Sequence, residues 1–389
     1  MKPFDEDQRD RGDGVRPRGS SDSCHYRRRE FLRTAGRGIL GAGFLASPVL
    51  ARTAGVRLTG SEKTRGGAAE FQRDNPLRGQ SPGRPLDTVS RLSLVRGQDR
   101  REIVLKALQL IEDDVWAAVD RKKRVLIKPN MAVDKNPLAI THVDAARAVL
   151  DFLRPRCRKP IVVAESGVLN TADGFRNNGY LALEKEYKVE VVDLNAKPDF
   201  KMSYVVDKDH IPRIVRVYSV FVDPDVCVIS LARMKTHDTV LVTLALKNVL
   251  MAAPVNDYTK SDKGILHGAT KSIDDVMHYN LFHLAERGVW PDLAVIDGFE
   301  SMEGHGPAWG TPLATRLALA SRDPLAADIV GTTIMGFDPG RILYLKAMAE
   351  AGMGQGDLGK IRVVGAPLAE CRFKFKVGET MAKVYQLNT

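Results

Sequence analysis

Two lysines stand in apolar stretches of the sequence, where a charged side chain is costly to bury. Lys235 and His237 follow an apolar run, and Lys247 and Asn248 lie within the apolar segment 245–250. A lysine in such a position either extends to solvent or is buried with a lowered pKa. Buried lysines serve as bases, as Schiff-base formers or as anion ligands. We therefore predict catalytic roles for Lys235, His237 and Lys247, and substrate binding by Asn248.

A second group of polar residues follows a predicted strand. Lys128 and Asn130 flank Pro129, directly after the apolar run 124–127. The proline fixes its own φ and favours an extended conformation for Lys128, so that an ammonium and an amide leave one rigid corner. The alternative interpretation is a solvated turn. We predict that Lys128 is catalytic and that Asn130 and Thr141 bind substrate, although Thr141 could equally cap the following helix.

An acidic, glycine-rich segment, residues 297–307, supplies candidate metal ligands. It contains three carboxylates and a histidine after a predicted strand. Carboxylate and imidazole groups are the usual oxygen and nitrogen ligands of divalent metals. The predicted metal ligands are His237, His267, Asp297 and Glu303. The sequence contains no H-E-x-x-H, Walker, G-x-S-x-G or G-x-G-x-x-G motif that would define the chemistry further.

The scaffold that must position these residues is predicted from alternating strands and helices, which begin near residue 89. Strands are expected at 124–127, 160–164, 189–193, 214–218, 226–231, 292–297 and 360–364, and helices at 143–153, 171–187, 271–286 and 324–335. This alternation predicts an α/β fold with a mostly parallel sheet flanked by helices. Because ligands bind beyond the carboxyl ends of such strands, we expect polar strand-end loops to form the site, at 128–130, 165–167, 233–238 and 297–307.

The N-terminal part of the chain resembles a twin-arginine export signal. The basic stretch 27–33 is followed by an uncharged, Gly- and Ala-rich run, 38–50, and then by a small-residue cleavage site. The residues that carry this resemblance are Arg28, Arg29, Phe31, Leu32 and Ala51. We expect a signal peptide over 1–51, a flexible linker over 52–88 and an α/β domain over 89–389. The signal predicts transport by the twin-arginine translocase to the periplasm or beyond, with no stable membrane span after cleavage.

The charge and the cysteine content exclude two classes of function. The formal net charge is +10, but residues 1–102 carry 21 Lys and Arg against 13 Asp and Glu, so most of the excess precedes the predicted domain. We therefore expect no nucleic-acid partner, because that function requires a basic face on a folded domain. The three cysteines after the signal, Cys157, Cys227 and Cys371, form no C-x-x-C motif, and no iron–sulfur cluster is expected from this chain.

An ordered series of short motifs resembles the DUF362 family, a domain of unknown function. The series comprises Ile127-Lys128-Pro129-Asn130, Thr141-His142, Lys235-Thr236-His237, Leu246-Lys247-Asn248, His267, Ile296-Asp297-Gly298, 303–307 and 323–328. The resemblance covers about residues 120–345. Relatives often carry a ferredoxin-like segment with clustered cysteines, which this sequence lacks. The family implies no general activity.

The predicted function is that of an enzyme that acts on a small anionic substrate with the help of a divalent metal or of acid/base groups. Several lysines, imidazoles and carboxylates are expected on strand-end loops of one domain, where unpaired charges would be costly without a role. Metal-assisted hydrolysis and proton abstraction next to a carbonyl group both fit. The alternatives are an exported metal- or anion-binding protein without turnover and, by family analogy, a redox accessory protein.

Overall fold

A mostly parallel sheet of ten strands organises the computed structural model, which describes residues 88–134, 136–267 and 275–387. The predicted signal peptide, 1–51, lies outside the described residues, as does the predicted linker up to residue 87. The described strands are β1 (Ser90–Arg96), β2 (Arg124–Pro129), β3 (Ile161–Glu165), β4 (Glu190–Asp193), β5 (Phe200–Val206), β6 (Pro212–Tyr218), β7 (Val226–His237), β8 (Leu241–Thr243), β9 (Leu293–Glu303), β10 (Thr311–Leu313), β11 (Leu317–Ser321) and β12 (Ile361–Gly365).

The main path through the sheet runs β12-β1-β11-β9-β7-β2-β3-β4. Along it β9, β7, β2, β3 and β4 are parallel, whereas β11 is antiparallel to both of its neighbours. The short strands β8 and β10 pair with the ends of β7 and β9, and β5 and β6 form a separate two-stranded ribbon. The α/β fold predicted from the sequence is therefore confirmed.

Eleven helices flank the sheet in the described part of the chain. They are α1 (Arg100–Leu110), α2 (Glu112–Val119), α3 (Val143–Leu153), α4 (Thr171–Asn177), α5 (Ala182–Tyr187), α6 (Ala245–Leu250), α7 (Lys263–Leu266), α8 (Asp275–Glu286), α9 (Pro324–Ile334), α10 (Leu343–Glu350) and α11 (Glu379–Val384). Side-chain caps start several of them, as where Asp323 accepts from the backbone of Leu325 and Ala326 at the start of α9. Within the described residues, none of the helices has the length and apolar character needed to cross a membrane.

The central strand β7 contains charged and polar residues although it lies in the core. All twelve of its residues are buried between β2 and β9, as expected for a strand of a parallel sheet covered on both faces. Its pairing with β9 is interrupted by a register shift between Arg233 and Lys235. Lys235 and Thr243 are directly opposite each other in the β7–β8 pair. The sheet therefore brings the carboxyl end of β7 against both β8 and the neighbouring parallel strands.

Two loops predicted from the sequence are largely strand in the structure. The loop expected at 233–238 is wrong because β7 continues to His237, and the loop expected at 297–307 is wrong because β9 continues to Glu303. The polar side chains there suggested loops, but the added strands β8 and β10 pair with this backbone. The predicted helix at 171–187 is likewise two helices, α4 and α5.

Candidate functional site

A cavity of about 150 Å³ lies beyond the carboxyl ends of β2, β3 and β7. Four lysines line it: Lys128, Lys235, Lys247 and Lys263. Among the described residues that line the cavity, Glu165 is the only acidic one. All four lysines are buried, although lysine is almost never fully buried without a compensating partner. The cavity is thus lined by four basic side chains and one acid, and the protein accommodates each lysine in a different way.

Lys128 forms a buried ion pair with Glu165. Its Nζ lies 2.7 Å from Glu165 Oε2 and donates a second hydrogen bond, of 2.6 Å, to Asn248 Oδ1. Glu165 also accepts hydrogen bonds from the backbone N–H groups of Met131 and Ser166. Burial lowers the pKa of Lys128, and the Glu165 carboxylate opposes this shift. The pair consequently sits at the end of β2 with both charges partnered.

Asn248 connects the lysine of β2 to helix α6. Its Oδ1 accepts from Lys128 Nζ and, at 3.1 Å, from Asn130 Nδ2. Its Nδ2 donates to the backbone carbonyl of Lys128 and to Ser230 Oγ, at 3.0 Å each. Because all these bonds fix one amide orientation, Asn248 joins β2, β7 and α6 at the cavity.

Helix α6 is held from outside the cavity by Asp328 of helix α9. The N-cap residue of α6, Leu244, makes no side-chain hydrogen bond to the first turn of the helix. The Asp328 carboxyl group instead accepts hydrogen bonds from Ala245 N at 2.8 Å and from Leu246 N at 3.1 Å. Burial raises the pKa of Asp328 to about 8. Lys247 lies in the same first turn of α6, so Asp328 fixes the backbone from which that lysine projects.

Lys235 donates to two backbone carbonyl groups from different loops. Its Nζ lies 2.8 Å from Ala139 O and 3.0 Å from Pro307 O. Burial lowers its pKa well below the usual range, and the charge of nearby Lys247 lowers it further. The close approach of the Pro307 loop depends on Gly306, where an added Cβ would lie only 2.0 Å from the carbonyl oxygen of Thr236.

Lys263 is a cavity lysine that the sequence did not single out. Its Nζ donates to the backbone carbonyl and to the hydroxyl of Ser166, the latter at 2.9 Å. Burial lowers the pKa of Lys263 to about 7. Glu165, also missed as a site residue, and Ser166 belong to the strand-end segment 165–167. The position of that segment after β3 was the signal that could have identified both residues.

Lys247 differs from the other three lysines because none of the described residues accepts a hydrogen bond from its Nζ. The side chain is nevertheless buried, with 7% of its surface exposed. Burial lowers the pKa of Lys247 to about 7, with Asp238 opposing the shift and Lys128 adding to it. A substantial fraction of this side chain is therefore a neutral amine near neutral pH.

Two histidines complete the polar lining of the cavity as neutral imidazoles. His237 Nδ1 accepts from Thr239 N at 3.0 Å and from Val240 N at 3.4 Å, which assigns the ring proton to Nε2. Burial lowers the pKa of His237 well below its usual range, and Lys247 contributes next. Burial also lowers the pKa of His267 to about 4. Neither ring adds positive charge to the cavity at neutral pH.

The four predicted metal ligands are not brought together. His237 and His267 line the cavity, whereas Asp297 and Glu303 do not. Asp297 pairs with Arg100 at 3.2 Å, and Glu303 accepts from the backbone N–H of Lys376 at 2.8 Å. In residues 88–134, 136–267 and 275–387, no group of three or more His, Cys, Asp or Glu side chains is arranged to hold a metal ion. The two acids instead stabilise the packing around β9.

Asn130 lines the cavity, but Thr141 lies beneath its wall. Thr141 Oγ1 accepts from Asn130 N at 2.9 Å and donates to Leu231 O at 2.8 Å. The alternative role of Thr141 as a helix cap is wrong, because His142 caps α3 by accepting from Asp144 N. Thr141 therefore joins β2 to β7 and positions Asn130.

The fold and the site define an α/β protein with a lysine-lined cavity at the carboxyl ends of parallel strands. Residues 125–333 match the family described as "Domain of unknown function (DUF362)", and the chain belongs to this family. The chain is 29% identical over 233 residues to "Thylakoid-associated protein sll1697" of Synechocystis, a match that covers 59% of this chain and 68% of that protein.

A crystal structure of a Thermotoga maritima protein also shows limited similarity. It superposes with a TM-score of 0.38 at 13% sequence identity, and the match covers 66% of this chain. The chain spans 59% of the length of that solved protein.

Proposed function

We propose that the cavity binds a small anionic compound and that the protein is an enzyme acting on it by proton transfer. The observation that carries this proposal is the presence of four buried lysines around one cavity with a single acid, Glu165. Opposite charges attract strongly where water is largely excluded, so an anion offsets repulsion between these ammonium groups. A carboxylate or a phosphate group fits this lining.

Proton abstraction next to a carbonyl group is the reaction that the lining supports best. Lys247 supplies a base that is part neutral near pH 7 and has no described hydrogen-bond acceptor. Lys128, Lys235 and Lys263 supply fixed N–H donors, which would stabilise negative charge that develops on the substrate oxygen. His237 offers an Nε2–H group as a further donor. Every group that this step requires lies on the cavity wall.

A ligand screen followed by an exchange assay tests the proposal. Thermal unfolding would be measured with phosphate and with small mono- and dicarboxylic acids, because a ligand that binds the folded state raises the unfolding temperature. Compounds that stabilise the protein would then be incubated with it in D₂O, and loss of the proton next to the carbonyl would be followed by NMR. Lys247→Met should abolish exchange, whereas Lys106→Met, which changes an exposed lysine, should not.

The result separates two functions. Binding with exchange or turnover supports the enzyme. Binding of a natural set of small acids without any conversion would leave an anion-binding protein, which was the alternative from the sequence. Absence of stabilisation by every anion, over a concentration range that titrates ordinary anion sites, would overturn the cavity's role as an anion site.

We also propose that the chain is exported by the twin-arginine route. The support is the arginine pair Arg28 and Arg29, followed by an apolar run and a small-residue cleavage site at Ala51. The name of the Synechocystis relative places that protein at the thylakoid. Changing both arginines to lysine in the full-length chain should leave the precursor uncleaved in the cytoplasm, as judged by cell fractionation and immunoblotting. Unchanged processing in this variant would contradict the proposal.

A further inference from the structure

We propose that Lys247 is a covalent nucleophile, which forms a Schiff base with an aldehyde or ketone that also carries an anionic group. This inference rests on the proposed function, because it requires the cavity to bind an anion. It names the substrate class more narrowly: a small oxo acid, such as a 2-oxo carboxylate. It also assigns the covalent role to the lysine whose Nζ has no hydrogen-bond acceptor among the described residues.

The hydrogen bonds divide the four lysines into two kinds. Lys128 donates to a carboxylate and an amide oxygen, Lys235 donates to two carbonyl groups, and Lys263 donates to the carbonyl and hydroxyl of Ser166. These hydrogen bonds hold the three Nζ atoms against protein acceptors and away from a bound carbonyl carbon. Lys247 has no such acceptor among the described residues, yet it lines the same cavity.

The position of Lys247 also favours the neutral amine. The side chain is buried, and the charge of Lys128 opposes a second ammonium nearby. Desolvation beside another cation is a known way to activate a lysine for covalent catalysis. The backbone of α6 is fixed at its start by Asp328, so the amine projects from a defined place in the wall.

The reaction balances without any external oxidant or reductant. The Nζ lone pair of Lys247 attacks the carbonyl carbon, and a proton from the nitrogen passes to the carbonyl oxygen to give a carbinolamine. The hydroxyl group then takes up a proton and leaves as water while the C=N bond forms. The product is a protonated imine, and its positive charge makes a neighbouring C–H bond acidic. Because the Lys247 nitrogen is then bonded to the substrate, the proton from that C–H bond passes to water and not to Lys247.

Two of the remaining lysines indicate which anionic group the ligand carries. Because Lys235 and Lys263 present N–H donors to the same cavity, they are placed to hold a carboxylate while Lys247 meets the carbonyl. A cavity of about 150 Å³ accommodates a molecule about the size of benzene. Short oxo acids meet both requirements.

Borohydride trapping tests the inference on the folded, full-length chain. The protein would be incubated with glyoxylate, the smallest anionic aldehyde, and with pyruvate; sodium borohydride would then reduce any imine to a stable amine. We expect one adduct per chain by intact-mass spectrometry, and peptide mapping should place it on Lys247. Acetate in excess should compete, and Lys247→Arg should lose the adduct while it still unfolds cooperatively.

Parallel unfolding measurements distinguish the two possible failures. If glyoxylate or pyruvate raises the unfolding temperature but leaves no adduct on Lys247, the Schiff base is overturned and the anion site stands. Modification spread over exposed lysines such as Lys106, with none concentrated on Lys247, overturns the inference in the same way. If no anion stabilises the protein, the proposed function fails and the inference fails with it.

Discussion

Lys128 and Glu165 form an ion pair of 2.7 Å at the end of two neighbouring parallel strands, with both side chains buried. Two backbone N–H groups also donate to the Glu165 carboxylate. Removing one partner of such a pair is costly because it leaves the other charge buried without compensation. The relationship makes Glu165 a stability determinant of a cavity that otherwise accumulates positive charge.

We expect Glu165→Gln to destabilise the unliganded protein by about 3–5 kcal/mol, the usual cost of breaking a buried pair. Urea unfolding followed by circular dichroism measures the change. Glu190→Gln is the matched control, because Glu190 is exposed on β4 and should change stability by less than about 0.5 kcal/mol. Equal stability of the two variants would show that the pair does not hold the cavity together.

Anion binding should weaken as the pH rises above neutrality. The pKa values of Lys247 and Lys263 are both lowered to about 7, so both side chains are ammonium ions below that pH and neutral above it. Because an anion favours the ammonium form, binding is accompanied by proton uptake near pH 7. Titration calorimetry from pH 6 to pH 9, in buffers of different ionisation enthalpy, measures both effects. Affinity independent of pH would contradict the assignment.

A rise in pH weakens anion binding through Lys247 and Lys263, but it increases their contribution to the free energy of unfolding. Their folded pKa values of about 7 lie below the unfolded value of 10.5, so the unfolded chain binds more protons between these limits. Their contribution to the free energy of unfolding therefore rises with pH from about 7 to 10.5 in the absence of ligand. Lys247→Met should reduce this slope, as measured by urea unfolding across the same range, and an unchanged slope would count against a buried Lys247.

Asp328→Asn should destabilise helix α6, since an amide has one acceptor oxygen, whereas the carboxyl group offers one oxygen to Ala245 and the other to Leu246. A lost helix cap costs about 0.5–2 kcal/mol. The folded pKa of about 8 lies above the unfolded value of 3.8. Asp328 thus contributes fully below about pH 4, and its contribution is lost as the pH rises through about 8. The variant should therefore lose most stability near pH 5 and least near pH 9; an effect that grows with pH would contradict this reasoning.

Gly306→Ala should disrupt the loop that contacts Lys235. The added Cβ would lie 2.0 Å from the carbonyl oxygen of Thr236, so backbone must move. We expect a loss of several degrees in unfolding temperature and weaker anion binding. Gly264→Ala is the matched control, on helix α7 next to Lys263, because its Cβ would meet nothing within 4 Å and alanine favours a helix. Similar behaviour of the two variants would show that close approach at Gly306 is unimportant.

The sequence predicted the scaffold well because parallel strands and amphipathic helices have strong local patterns. Helix α3 occupies the predicted residues 143–153, and the apolar run 124–127 became most of β2. Strand β5 of the β5–β6 ribbon and the short strands β8 and β10 were not predicted, because their local patterns are weak and short strands depend on tertiary pairing.

For the site, residue type and strand-end position were enough to identify the lysines of β2, β7 and α6. The partner of each lysine could not be read from the sequence, because Glu165 and Lys263 reach the cavity only through the fold. Residue type and strand-end position were not enough for Asp297 and Glu303. Both are acidic residues of β9, yet Asp297 pairs with Arg100 and Glu303 accepts from the backbone of Lys376. Local sequence gives no information about these contacts.

The register of β7 has a consequence for how such a site can change during evolution. Successive side chains of a strand point to opposite faces, so Lys235 and His237 face the cavity together. The insertion of one residue earlier in β7 would present Met234 and Thr236 instead, and a deletion would present Thr236 and Asp238, so the wall would lose a lysine and an imidazole at once. Single substitutions can adjust this chemistry gradually, but a shift of one position along β7 would erase its contribution in one event.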